Sequence, residues 1–101
     1  MYSIKYSNLY MDDFAEALDY IKEVLKNEIA SNNLKNNVNK EIQRIKQFPH
    51  IGTKLYRDNI ETKYRYIRVE NYFVFYYVSN DRIFIDRFIY AKRDYTKLLN
   101  I

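Results

Sequence analysis

Between Phe48 and Gly52 the chain changes its hydrophobic period, and the change coincides with its one proline, Pro49, and its one glycine, Gly52. Before this link apolar residues recur every three to four positions. After it they come in β-branched and aromatic runs. A proline ends a helix because it biases the preceding residue away from helical backbone and cannot extend the hydrogen-bond ladder. The link therefore divides a helical half from a sheet-forming half. Few folds other than an α+β layer accept that order.

In the helical half, Tyr2 to Tyr6 reads as a short strand. Asp13 and Glu16 have capping-box spacing. Phe14, Leu18, Ile21, Leu25 and Ile29 fall on one face, predicting a helix over residues 12–28. Ser31-Asn32-Asn33 reads as a polar break with Ser31 as an N-cap. Leu34, Val38, Ile42 and Ile45 then mark a second helix that Pro49 ends. Two amphipathic helices with a short link predict an antiparallel hairpin.

In the second half, residues 64–69 alternate in part, 72–78 are apolar on both faces, and 83–90 form a last long strand. Glu70-Asn71 and Ser79-Asn80-Asp81 are turn candidates. Residues 55–60 read as a further short strand. The expected fold is α+β: an N-terminal short strand, then a two-helix hairpin packed on one face of an antiparallel three- to four-stranded sheet. Residues 1–101 form a single domain in this reading, at the usual size of about 100–150 residues. The second face of the sheet has no helix assigned to it, which leaves it for a polar surface, a ligand or a partner.

Composition removes most catalytic classes. One glycine excludes glycine-rich phosphate loops. The absence of cysteine excludes disulfides, thiol chemistry and thiolate zinc sites, and the single histidine, His50, excludes a two-histidine metal site. No run approaches the roughly 18 apolar residues of a membrane span, and no signal-peptide pattern is visible, so a cytoplasmic location without membrane contact is expected. Any chemistry must run on Tyr, Lys, Arg, Asp and Glu, without metal or cofactor.

The net charge of +4 is confined to the second half. Residues 1–50 hold seven Lys/Arg and seven Asp/Glu, whereas residues 51–101 hold ten and six. Lys54, Arg57, Lys63, Arg65 and Arg68 fall within fifteen residues. Such asymmetry fits a polyanion or an acidic protein partner, and equally a solvated face. On the strand at 64–69, Lys63 and Arg65 share one parity, and Tyr64, Tyr66 and Arg68 the other. Either row suits RNA, because cations neutralise phosphates and Tyr rings stack on bases; Tyr is also an ordinary strand residue. Asp86 and Arg87 interrupt an apolar strand and are expected on opposite faces, either as an ion pair at the edge of the core or with Arg87 lining a groove on the open face. Lys92-Arg93-Asp94-Tyr95 is a compact polar cluster at a strand end, either a site or a solvated turn.

Taken whole, the order of parts resembles the RelE/ParE superfamily of bacterial type II toxin–antitoxin toxins, proteins linked to plasmid stabilization. Phe48-Pro49-His50-Ile51-Gly52 resembles its Phe-Pro-x-x-Gly link. Tyr64-Arg65-Tyr66 through Asn71-Tyr72-Phe73-Val74-Phe75-Tyr76-Tyr77-Val78 resembles its central hairpin, and Ile85 to Tyr95 its closing strand with an Arg-Asp end. The resemblance implies a toxin neutralised by a cognate antitoxin from the same operon. RelE-type members are mRNA interferases, metal-independent endoribonucleases that cut mRNA on the ribosome; ParE-type members inhibit DNA gyrase. By this resemblance Arg65, Arg93 and Tyr95 are the candidate catalytic residues, with Lys63, Tyr66, Arg68, Arg87 and Lys92 contacting nucleic acid or antitoxin. Ribosome-dependent mRNA cleavage is the leading expectation and gyrase inhibition the alternative. The third-strand Arg of the RelE pattern falls on Phe73, which cannot stabilise a phosphorane.

Overall fold

A computed structural model describes residues 1–101. Five strands form one sheet in the order β1-β5-β4-β3-β2: β1 (Ser3–Tyr6), β2 (Thr53–Arg57), β3 (Ile60–Val69), β4 (Tyr72–Ser79) and β5 (Arg82–Tyr90). Strands β2 to β5 pair antiparallel, whereas β1 runs parallel to β5. The sheet is thus mixed and one strand wider than expected. The connections from β2 to β5 are tight turns with left-handed residues at Asp58 and Asn59, at Glu70, and at Asn80. Consecutive left-handed residues give the hairpin twist that matches flanking strands, which Asp and Asn tolerate well. Asp58 and Asn59 belong to this turn, so the short strand read over 55–60 lies at Thr53–Arg57 instead.

The helical hairpin lies on one face. Helix α1 (Asn8–Asp19) is capped by Ser7, whose hydroxyl accepts from the Tyr10 amide, and not by Asp13. It continues as a π-helical turn over Tyr20–Val24, with the Leu25 amide reaching back to the Tyr20 carbonyl. The extra residue breaks the helical stripe, and Leu25 and Ile29 emerge exposed. Lys26 then turns left-handed and Asn27 caps α2 (Glu28–Gln47). The expected break at Ser31 therefore lies four residues earlier. Ser31 is buried within α2 and donates to the Leu18 carbonyl, tying the two helices together. Leu34, Val38, Ile42 and Ile45 are all buried against the sheet, as their spacing predicts.

The link that divides the halves is clamped to the sheet. Buried Tyr76 donates its hydroxyl hydrogen to the Pro49 carbonyl at 2.8 Å and accepts from the Gly52 amide at 2.8 Å. A Cβ on residue 52 would lie 2.6 Å from that hydroxyl oxygen, so only glycine fits. Arg65 adds two bonds, to the carbonyls of His50 (3.1 Å) and Gly52 (2.9 Å).

The second face is covered in part, contrary to the expectation of an open face. The C-terminal helix α3 (Tyr95–Leu99), capped by Asp94, packs Leu99 against Leu55, Tyr64, Phe75 and Ile89. The sheet therefore has a core on each side. No helix is long and apolar enough to cross a membrane.

Candidate functional site

Strand β5 carries a bulge. Phe75 pairs with Arg87 and Tyr76 with Ile85, leaving Asp86 as the extra residue. A bulge of this kind puts two successive side chains on the same side of a strand, so Asp86 and Arg87 do not point to opposite faces. Asp86 accepts the Tyr64 hydroxyl at 2.7 Å. Arg87 pairs with Asp13 of α1 instead: Nε donates to Oδ2 at 2.7 Å and Nη2 to Oδ1 at 3.0 Å. Its Nη1 donates to the Leu98 carbonyl of α3 at 3.0 Å. Both side chains are largely sequestered, at 11% and 15% exposure. Asp13 also accepts the Phe88 amide, and Ser7 donates its hydroxyl to the Asp86 carbonyl and its amide to the Ile85 carbonyl, where β5 runs on past the end of β1. Arg87 thus fastens α1, β5 and α3 together rather than lining an open groove. Its guanidinium pKa is raised, chiefly by the hydrogen bonds to Asp13.

The remaining candidates divide between surfaces. Lys63 and Arg68 are exposed cations over second-face aromatics. The Lys63 ammonium sits 4.2 Å from the Tyr77 ring centre and 5.3 Å from that of Tyr64. The Arg68 guanidinium lies 5.8 Å from the Phe73 ring centre and donates to the Glu70 carbonyl. Tyr66 packs edge-on against Phe73 at 5.2 Å, and Tyr95 lies 5.3 Å from Phe75. Lys63, Tyr66, Arg68 and Tyr95 therefore share one face, an aromatic surface edged by two cations. Cation–ring contacts of this kind contribute about 0.5–1 kcal/mol each when exposed. Arg65 lies on the opposite face, held to the link backbone. Lys92 and Arg93 are exposed in the turn between β5 and α3, and Arg93 borders a groove beside α1.

Tyr64 and Asp86 are already paired with each other on this face. The Tyr64 phenol is pushed well up by burial first and by its bond to Asp86 second, so it stays protonated. Asp86 already holds that hydroxyl hydrogen. Phe73 fills the centre of the aromatic cluster, within 6.4 Å of the Tyr66, Phe75 and Tyr95 rings. The pairing of Asp13 with Arg87 and the clamp of Tyr76 on the link are not legible in the sequence, because the partners lie far along the chain.

Residues 4–95 match the family described as the ParE toxin of the type II toxin–antitoxin system parDE. The chain belongs to the ParE toxin family. No curated protein sequence matches it. Among solved structures, the toxin fold recurs in a chain from the chromosomal ParDE toxin–antitoxin system of P. aeruginosa, with a TM-score of 0.75 and 16% identity over 91% of this chain and 98% of that one. It recurs more loosely in YafQ from E. coli strain BL21(DE3), with a TM-score of 0.55 and 17% identity over 89% and 93% of the two chains. This ParE-family toxin is therefore one half of a toxin–antitoxin pair, and a cognate antitoxin is its expected partner.

Proposed function

We propose that this ParE-family toxin arrests growth by binding and inhibiting DNA gyrase without catalysing a reaction of its own. The carrying observation is the state of the second face around Phe73. An RNA-cleaving site of the RelE type needs a base for the 2′-hydroxyl and cations converging on one phosphate. Here aromatic rings surround Phe73. The central arginines are engaged elsewhere, Arg65 by the link backbone and Arg87 by Asp13. Such a surface is suited to docking on a large partner, with Lys63 and Arg68 supplying charge at its margin.

The test is a supercoiling assay with purified gyrase, relaxed plasmid and ATP. Added toxin should abolish supercoiling and accumulate cleaved DNA, while a cell-free translation reaction with the same toxin runs normally. The second reading, ribosome-dependent mRNA cleavage, is favoured by the Lys63–Tyr77 contact, which offers a phosphate-binding cation beside a stacking ring. Codon-dependent mRNA cleavage together with unimpaired gyrase would reject the gyrase reading.

A further inference from the structure

A groove of about 1000 Å³ runs between α1 with its π-helical turn and the β3–β4 turn beside the end of β5. Its floor is apolar, with Ala17, Ile21, Tyr72 and Phe88 contributing. Its walls are acidic: Glu16, Asp19, Glu23 and Glu70 border it, against one cation, Arg93. Asp13 also reaches the groove but is already neutralised by Arg87. This is the reverse of the chain as a whole, which carries +4. At its rim, Tyr20, Val24 and Leu25 are each more than half exposed on the π-helical turn.

We propose that this groove docks a cationic amphipathic segment of a protein partner. The apolar floor takes the hydrophobic stripe of such a segment, and the carboxylates on both walls pair with Lys or Arg flanking it. Charge complementarity selects this occupant. An acidic segment would set its carboxylates against four others, and repulsion of that sort suppresses wrong partners. The groove lies on the helix side of the sheet, apart from the aromatic second face. It therefore gives the toxin two partner surfaces of opposite sign, and it does not depend on whether gyrase or mRNA is the target.

The test uses the whole isotopically labelled toxin and two synthetic 14-residue amphipathic peptides, one of Lys and Leu and one of Glu and Leu. The Lys/Leu peptide should shift the amide signals of Ala17, Ile21 and Tyr72 and leave those of Lys63 and Tyr77 unmoved. Binding should weaken at least tenfold in Glu16→Lys/Glu23→Lys, whose altered positions are exposed and whose melting temperature should match the parent. Arg93→Ala, which removes the opposing cation, should tighten binding severalfold. The proposal is overturned if the Glu/Leu peptide binds as well, if charge reversal leaves affinity unchanged, if the shifts map to the second face, or if sedimentation shows the groove occupied by a second copy of the toxin.

Discussion

Asp13→Ala tests the fastening of α1 to the sheet. The substitution removes both acceptors of the Arg87 fork and the acceptor of the Phe88 amide, while the Leu98 carbonyl stays. It leaves a guanidinium, 11% exposed in the parent, with one hydrogen bond of the three it had. Removing one member of a buried pair costs about 3–5 kcal/mol, because the other charge remains desolvated. Slight exposure of both side chains places this site near the low end, about 3 kcal/mol. A domain of this length has roughly 5–15 kcal/mol in total. Each kcal/mol moves the melting temperature by about 4–8 °C, so the loss should be on the order of 15 °C. Thermal and urea unfolding followed by circular dichroism would measure it. Asp13→Asn keeps an acceptor for the Phe88 amide and should lose about half as much. Asp13→Leu/Arg87→Met removes both charges and should recover most of the stability, to within about 1–2 kcal/mol of the parent. A loss below about 1 kcal/mol in Asp13→Ala, or a double variant no better than the single, would refute the reasoning.

The link, the tyrosines and the C-terminal cap give further expectations. Tyr76→Phe strands the Pro49 carbonyl and the Gly52 amide and should cost about 1–3 kcal/mol; Gly52→Ala, forced against the same ring, should cost a similar amount, read by urea unfolding. Burial raises the phenol pKa of Tyr6, Tyr10, Tyr64, Tyr72 and Tyr76 above the ordinary 10. Their contribution is therefore complete below pH 10 and is lost as the pH rises toward the folded values; absorbance at 295 nm should show these five ionising late and together with alkaline unfolding, and early independent ionisation of all twelve would count against the packing. Bonds from Thr96, side chain first and amide second, lower the Asp94 pKa below its usual 3.8. The cap should hold above that value and fail as the pH falls through the depressed one, seen as lost hydrogen-exchange protection in α3; Asp94→Ala should lose the same protection at neutral pH.

What the sequence disclosed was set by distance along the chain. The stripe Leu34, Val38, Ile42 and Ile45 needs only the helical period to be read, and all four residues are buried. The turn at Glu70-Asn71 and the three long strands were equally local. Asp13 looked like a cap because acidic residues gather at helix starts, yet its partner lies 74 residues further on. The bulge at Asp86 was invisible for the same kind of reason, since one extra residue leaves alternation intact on either side of it. Five residues of α3 are too few to display a period, so the second face looked bare. The shared face of Tyr66 and Arg68 followed from strand parity. Lys63 joins them despite the opposite parity, because the register of β3 against β2 shifts between Glu61 and Arg65. The acidic groove was half legible, since Glu16 and Glu23 stand seven apart on one helix face, but Glu70 comes from a turn in the other half of the chain.

Strand β1 has consequences for when this toxin comes into being. Its sole sheet neighbour is β5, with Ser3 beside Arg82 and Tyr6 beside Ile85, so a strand made early pairs with one made about 80 residues later. Helix α1 likewise rests chiefly on β5 and is fastened there through Arg87. The earliest segments can meet α2 but lack their sheet partner until residues 82–90 have been made, and closing so long a loop is slow. A nascent chain cut short before β5 lacks Phe88 from the floor of the acidic groove and the bulge whose Asp86 holds Tyr64. Vectorial synthesis thus completes both surfaces together, once β5 has been made, and a product truncated before β5 carries neither in full.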